Sequence, residues 1–169
     1  KRENYKGKRF FIKENSKVFH LDILLDKFNL IKNGNSQPFK HYRENYNHVP
    51  PWILFKGATF GNMYYFYMEQ KVEVKNSVIS TIFGVSIREI EEKNELKNLF
   101  ADGISLVYQF RNRTAHGGRV YNFTTYREYI RFNTIFHNKS KISNKLYRFG
   151  YGKNDLFTFI KFFSFMPKD

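Results

Sequence analysis

"EEKNELKNLFADGISLVYQFRNRTAHGG" (residues 91–118) is the longest stretch of the chain with helical periodicity. Its apolar positions recur at intervals of three and four residues, which places them on one face of a helix. The pattern predicts a helix from Glu91 to Arg113 that the Gly117-Gly118 pair ends. One turn beyond Val107, it predicts Arg111 on the inward face. The stripe consists of Leu96, Leu99, Phe100, Gly103, Ile104, Val107 and Phe110.

The segments around this helix favour a mainly α-helical, all-α class of fold. Apolar spacing and breakers predict shorter helices over residues 18–31, 39–46, 58–70, 77–83, 124–136 and 154–165. Expected helix ends include a Gly34 cap, a Thr59 or Asn62 cap, a Ser86 cap with Glu89 three residues on, and an Asn154 cap. Residues 71–80 alternate enough to suggest a strand pair instead, and residues 1–15 are expected to be irregular.

The composition indicates an aromatic core and a polyanionic partner. The chain has 169 residues with 20 Phe, 12 Tyr and a single Trp, and we expect Trp52 to anchor the core. Its net charge is +14, and residues 111–153 hold ten Lys or Arg against one acid, Glu128. This clustering favours nucleic acid or an anionic membrane surface as partner, with a merely solvated basic face as the alternative.

Several classes of site are excluded or disfavoured. The absence of cysteine rules out disulfides and thiolate metal sites, and it is compatible with the cytoplasmic location that we predict. No apolar run is long enough to span a membrane, and there is no signal-peptide pattern. The five histidines are scattered without metal-ligand spacing, so we expect no metal and no cofactor. The start at Lys1 rather than Met leaves room for a preceding segment.

Arg111, Asn112 and His116 form the constellation with the clearest chemistry. A guanidinium binds phosphate oxygens in pairs and stabilises the charge of a transition state, and histidine can move a proton near neutral pH. RNA carries its own 2′-OH nucleophile, so these residue types suit cleavage of an RNA phosphodiester without a metal. A purely structural role at a helix C-terminus is the alternative, because the helix dipole favours cations there.

Two blocks of the chain resemble the Abi-like (AbiD/AbiF) abortive-infection proteins of the HEPN superfamily. "FRNRTAHGGRVYN" (110–122) matches their RN-x-x-AH-x-x-R-x-x-N signature through Arg111, Asn112, His116, Arg119 and Asn122. The earlier block, 39–67, is similar through the residues His41, Tyr42, Tyr46, Pro51, Trp52, Thr59, Phe60 and Gly61. The likeness covers roughly residues 39–125.

The resemblance implies a fold, a reaction and a biological role. The fold would be one HEPN-like helical bundle over residues 1–169 with irregular basic extensions. Because the chain has one motif, a homodimer would pair two motifs into a composite site. The implied reaction is metal-independent endoribonuclease cleavage that leaves a 2′,3′-cyclic phosphate and a 5′-hydroxyl. The implied role is a toxin-type effector of phage defence, in some relatives tied to a small non-coding RNA.

In this interpretation, Arg111 binds the phosphate, His116 is the general acid or base, and Asn112 holds one of them in place. Further candidates for RNA contact are Arg113, Arg119, Asn122, His41, Tyr42, Arg43, Arg127, Arg131, Lys139, Lys141 and Lys145. For residues 41–48, a packed amphipathic turn before Pro50-Pro51-Trp52 is the favoured interpretation, with base stacking and phosphate contact as the alternative. Two other hypotheses stay open: a non-catalytic protein that holds a regulatory or guide-like RNA, and a subunit that depends on a partner protein.

Overall fold

The computed structural model describes residues 5–167, which fall into two compact units, one up to Lys71 and one from Val72. The first contains a hairpin of β1 (Phe10–Lys13) and β2 (Ser16–Phe19), then α1 (His20–Asn33), α2 (Phe39–Tyr46), α3 (Pro51–Lys56) and α4 (Phe60–Met68). The second contains α5 (Val72–Phe83), α6 (Ile87–Glu92), α7 (Asn94–Ala115), α8 (Thr134–Lys139), α9 (Asn144–Arg148) and α10 (Leu156–Phe163). The prediction of a mainly α fold is confirmed.

The first unit packs its helices around aromatic side chains. The Phe28 ring of α1 lies 6.0 Å from that of Phe55 and 5.7 Å from that of Phe66. The two predicted caps of α4 act together, because the Thr59 hydroxyl accepts from the Asn62 backbone while the Asn62 side chain accepts from the Thr59 backbone. This capping box fixes the start of α4.

The hairpin corrects the expectation of an irregular start. Glu14 and Asn15 have φ of 49° and 62°, which is the left-handed geometry that two-residue hairpin turns require. Phe10 pairs with Phe19 across the strands. The expectation of irregular structure is therefore wrong for Phe10–Lys13, while residues 1–4 of that stretch lie outside the described residues.

The second unit is built on α7. Its buried stripe is Leu96, Leu99, Phe100, Gly103, Leu106 and Phe110. Gly103 lets the Phe162 ring of α10 lie directly on the helix backbone, where a Cβ would overlap the ring. The Phe110 ring stacks on Phe159 at 4.7 Å. The long helix is confirmed over Asn94–Ala115, whereas Glu91 and Glu92 belong to α6 instead. The helix α10 crosses α7 where Gly103 leaves space.

Two secondary-structure predictions in this unit are wrong. Residues 72–80 form part of α5 rather than strands, and α5 begins at Val72 instead of near Ser77. The helix predicted over 124–136 is absent before Thr134, where the Asn133 side chain caps α8. The intervening backbone bonds at long range instead: Thr125 N–H donates to Asn154 O and Ile130 N–H to Lys153 O.

Two smaller expectations also fail. Trp52 is 68% exposed, because the short helix α3 turns the adjacent Ile53 inward instead. The last helix begins at Leu156, and the Asp155 carboxylate rather than Asn154 caps it by accepting from Thr158 N–H. The Gly34 and Ser86 caps are confirmed.

Candidate functional site

The candidate chemistry of residues 111–118 lies where α7 stops. Gly117, with φ +70°, donates its N–H to Thr114 O at 3.0 Å, and Gly118 donates to Arg113 O at 2.8 Å. This pair of bonds is a Schellman motif, in which a left-handed residue closes the last helical turn. His116 is the C-cap residue, so the turn fixes its backbone at the helix end.

Arg111 lies on the surface, and the prediction that it faces inward is wrong. The buried stripe passes through Leu106 and Phe110, whereas Ile104 and Val107 are only half-buried. Since neighbouring residues differ by about 100° around a helix, Arg111 is turned away from the stripe that ends at Phe110. Its guanidinium is therefore exposed to solvent and to ligands rather than to the core.

Arg111, Asn112 and His116 nevertheless share one end of α7, where Asn112 bonds to the Arg111 side chain and to the His116 backbone. The Arg111 Nη1 donates to Asn112 Oδ1 at 3.2 Å. His116 follows Asn112 by one helical turn, and its backbone N–H donates to Asn112 O at 3.1 Å. Within residues 5–167 the His116 imidazole makes no hydrogen bond and is exposed. The arrangement presents a guanidinium, an amide and an unengaged imidazole at one helix end.

Arg113, two residues away, is engaged in holding the following loop. Its Nε donates to Arg119 O at 3.2 Å, and its guanidinium carbon lies 5.3 Å from the centre of the Phe123 ring. Gly118 lies against the same side chain, where a Cβ would overlap the guanidinium. Arg113 therefore fastens the loop to the helix. Arg119 and Asn122 are exposed on that loop, and Arg119 Nη1 lies 3.4 Å from Tyr121 Oη.

Asp102 of α7 pairs with Arg131, which precedes α8 and is not helical. Arg131 Nε donates to Asp102 Oδ2 at 2.9 Å, Nη2 donates to Oδ1 at 3.0 Å, and the Arg131 backbone N–H donates to Oδ2 at 3.0 Å. These side-chain hydrogen bonds raise the pKa of Arg131 above its usual value. The pair borders a cavity of about 260 Å³ that Arg127 also lines. Arg131 is thus already neutralised by a carboxylate.

The other basic candidates of this unit differ in whether their side chains have partners inside the protein. Lys139 donates to Ser164 O at 3.1 Å and lies 4.2 Å from the centre of the Phe165 ring. Lys141, Lys145 and Arg127 are exposed. The exposed aromatic Phe149 was not among the predicted residues. The sequence "RFGYG" (148–152), in which aromatic residues alternate with glycines after an arginine, could have indicated an exposed ring in a turn beside a cation.

The candidates of the first unit form an aromatic cluster on α2. The His41, Tyr42 and Tyr46 rings lie within 5.5–5.9 Å of one another. Arg43 is half-buried and donates to Lys32 O and Gly34 O, so it satisfies carbonyls at the end of α1. His41 stays exposed, while Arg43 has a structural partner.

Within residues 5–167 no helix combines the length and the apolar character that crossing a bilayer requires. The same residues contain no group of three or more His, Cys, Asp or Glu side chains placed to hold a metal ion.

Comparison with known proteins bears on the family of the chain. A family model described as Abi-like protein matches residues 1–122, and this range includes both α2 and the end of α7. The match reaches further towards the N-terminus than the two blocks recognised in the sequence, and it stops before the basic segment that follows Asn122. No curated protein and no solved structure matches the chain.

Proposed function

Because the chain belongs to the Abi-like protein family, we propose that it acts in abortive infection as a metal-independent endoribonuclease. The site is the Arg111, Asn112 and His116 group at the end of α7. It becomes composite when two copies of the chain place their motifs opposite each other in a homodimer. RNA is the substrate, and a small non-coding RNA is a candidate cognate partner.

The observation that carries this proposal is that two exposed groups of complementary chemistry, the Arg111 guanidinium and the His116 imidazole, lie at one helix end beside the half-buried Asn112. Arg111 is held by Asn112 and by no carboxylate within the described part of the chain, so its charge is available to an anion. The His116 ring is exposed on the same helix end. Structural arginines nearby look different, because Arg113 and Arg131 are both occupied by internal partners.

The chemistry needs one base and one acid. A histidine removes the proton from the 2′-OH, whose oxygen attacks the adjacent phosphorus and forms the 2′,3′-cyclic phosphate. A second histidine gives its proton to the departing 5′-oxygen, which leaves as a hydroxyl. The guanidinium binds the non-bridging oxygens as their charge grows. Since each chain supplies one His116, a dimer provides both histidines at one scissile phosphate.

The test is cleavage of labelled RNA in EDTA by the wild type and by variants of the exposed groups. We expect Arg111→Ala and His116→Ala each to lower the cleavage rate by at least about 100-fold, as loss of a charge-stabilising or proton-transferring group does. The controls are Arg88→Ala, an exposed arginine of α6 paired with Glu92, and His48→Ala, an exposed histidine of the first unit. Full activity in His116→Ala would refute the assignment.

A non-catalytic RNA-binding function is the second candidate. The exposed cations that follow Asn122 favour it, because a backbone-binding surface needs no reacting group. RNA binding by the wild type with no cleavage in any preparation would select this function. Retained binding in His116→Ala together with abolished cleavage would select the first.

A further inference from the structure

A second surface of the molecule carries ligand-binding features that the proposed catalytic group does not use. It lies on α9 and the turn that follows, and we call it the α9 surface: Asn144, Lys145, Arg148 and Phe149. These four residues line an open cavity of about 400 Å³, in the size range of small-ligand clefts. The cavity walls are two cations, an amide and one aromatic ring.

The backbone geometry turns Phe149 outward. Gly150, with φ +104°, donates its N–H to Tyr147 O at 2.9 Å, and Tyr151 donates to Leu146 O at 3.2 Å. These bonds form a second Schellman motif with Phe149 at the C-cap. Its ring is 73% exposed. A single exposed ring is ordinary on a protein surface, but here the ring borders a cavity beside two cations.

The turn is fastened in place rather than left loose. The buried His137 ring contacts Gly152 O through Nε2 at 2.9 Å, and Tyr147 Oη donates to Ile130 O at 3.2 Å. Lys153 Nζ lies 4.6 Å from the centre of the Tyr147 ring. A fixed platform loses little conformational entropy when a ligand stacks on it, which favours binding.

The positive charge of this region favours an anionic ligand. From Tyr129 to Asn154 the chain has no acidic residue, and Lys145 and Arg148 are exposed without an acidic partner in the described structure. A flat π-face next to two cations suits a nucleobase and its flanking phosphates. A duplex would keep its bases stacked and hide their faces, so the ring favours a single strand.

We propose that the α9 surface binds single-stranded RNA, with one base stacked on Phe149 and the adjacent phosphates on Lys145 and Arg148. The site lies beyond residue 122, where the family match ends, so it would distinguish this chain from relatives that share only the matched region. The inference rests on the proposed function only in taking RNA as the ligand. It does not require that the RNA be cleaved.

The test measures the Kd of a short, fluorescein-labelled 2′-O-methyl oligouridine by fluorescence anisotropy. This probe has no free 2′-OH, so the result is independent of cleavage. We expect Phe149→Ala and Phe149→Leu to raise Kd about tenfold, because both remove the ring, and Phe149→Tyr to leave Kd unchanged. Phe157→Ala is the matched control, since Phe157 is also exposed and lies 5.8 Å from Lys161 Nζ.

Two further variants test the stacking and the phosphate binding separately. The substitution Trp52→Phe removes the chain's single tryptophan. In that background, Phe149→Trp should bind an unlabelled form of the oligouridine, and the tryptophan fluorescence of the protein should fall as the base stacks. Combining Lys145→Ala with Arg148→Ala should lower the slope of log Kd against log salt by about 0.7 for each phosphate that is no longer neutralised.

Three results would overturn the proposal: an unchanged Kd in Phe149→Ala, equal affinity of Phe149→Leu and the wild type, or preference for duplex over single-stranded probe. If Phe149→Ala changes the oligomeric state of the protein in solution but leaves Kd unchanged, the α9 surface is an interface between protein chains instead. A wild type that cleaves no RNA would still show the expected Kd changes, so the two proposals fail separately.

Discussion

Two arginines at the end of α7 show how position decides the role of a residue. Arg111 donates to the neighbouring Asn112 side chain and is exposed, so its guanidinium is available for a ligand. Arg113 donates to Arg119 O, packs over Gly118 and faces the Phe123 ring, so it belongs to the structure of the loop. Both belong to the same short basic run, yet only Arg111 suits phosphate binding.

The first prediction separates these two roles by stability. We expect Arg113→Ala to lower the free energy of unfolding by about 1 kcal/mol, because it removes a cation–π interaction and a hydrogen bond that pins the loop. Arg111→Ala should change it by less than about 0.5 kcal/mol, as exposed substitutions do. Urea denaturation of both variants measures the difference. A larger decrease in Arg111→Ala would contradict the assignment of Arg111 to the surface.

At this scale the residue types of the site are predictable from the sequence, whereas their orientation is not. Both Leu106 and Val107 are apolar, and each continues a stripe with spacings of three and four. Because Leu106 rather than Val107 is the buried residue, the buried face of α7 is rotated by one residue from the predicted face. This rotation is enough to move Arg111 from the core to solvent. Only the packing partners of α7 settle that phase.

At the scale of elements, α7 and α10 depend on the absence of a side chain at Gly103. In an open helix, Gly→Ala stabilises by about 1 kcal/mol. Here a Cβ would overlap the Phe162 ring, which is fully buried. The steric cost therefore outweighs the helix propensity.

The second prediction follows from this close packing. Gly103→Ala should destabilise the protein by about 1–3 kcal/mol, the usual cost of overpacking a core. Adding Phe162→Leu should recover part of that stability, because the smaller side chain makes room for the methyl group. The control is Gln109→Ala, a half-buried position of the same helix. Thermal unfolding measures all four proteins, and a Gly103→Ala variant more stable than the wild type would contradict the packing.

The third prediction concerns Tyr67 on α4 and alkaline pH. Burial raises the pKa of Tyr67 from 10.0 to about 12. Below pH 10 the phenol is neutral in both states, and above it the unfolded chain ionises first, so stability falls as pH rises from 10 towards 12. Tyr67→Phe should lose less stability over this interval than the wild type. Tyr126→Phe, which removes a 94% exposed phenol, is the control.

For each protein, the urea unfolding midpoint is measured at about pH 9 and at about pH 11. The drop between these two midpoints measures the loss of stability. The wild type and Tyr126→Phe should show the same drop, and Tyr67→Phe a smaller one. An identical drop in all three proteins would show that Tyr67 does not couple to unfolding.

The helices with strong local signals could be predicted, and the segment between Asn122 and Thr134 could not. Capping residues and breakers mark α1, α2, α4 and α6 through interactions a few residues apart. Thr125 and Ile130, by contrast, bond to Asn154 and Lys153, far along the chain. Such long-range partners leave no periodic pattern, and the aromatic and β-branched residues of the segment favour helix only weakly.

At the scale of the whole molecule, we predict that the active species is a dimer. Each chain supplies one Arg111 and one His116, so a composite site requires two copies. The fourth prediction is that specific RNA-cleaving activity falls as the protein is diluted below its dimer dissociation constant. Analytical ultracentrifugation should give twice the chain mass of 20.4 kDa in the active range. Constant specific activity in a purely monomeric sample would contradict the composite site.

Whether His116 transfers the proton of a 2′-OH is decided by comparing an RNA with its fully 2′-O-methylated counterpart in EDTA. We predict that the wild type cleaves only the RNA, leaving 2′,3′-cyclic phosphate and 5′-hydroxyl ends, and that His116→Ala binds both strands but cleaves the RNA at least about 100-fold more slowly. Cleavage of the methylated strand, or cleavage of the RNA by His116→Ala at the wild-type rate, would contradict this mechanism.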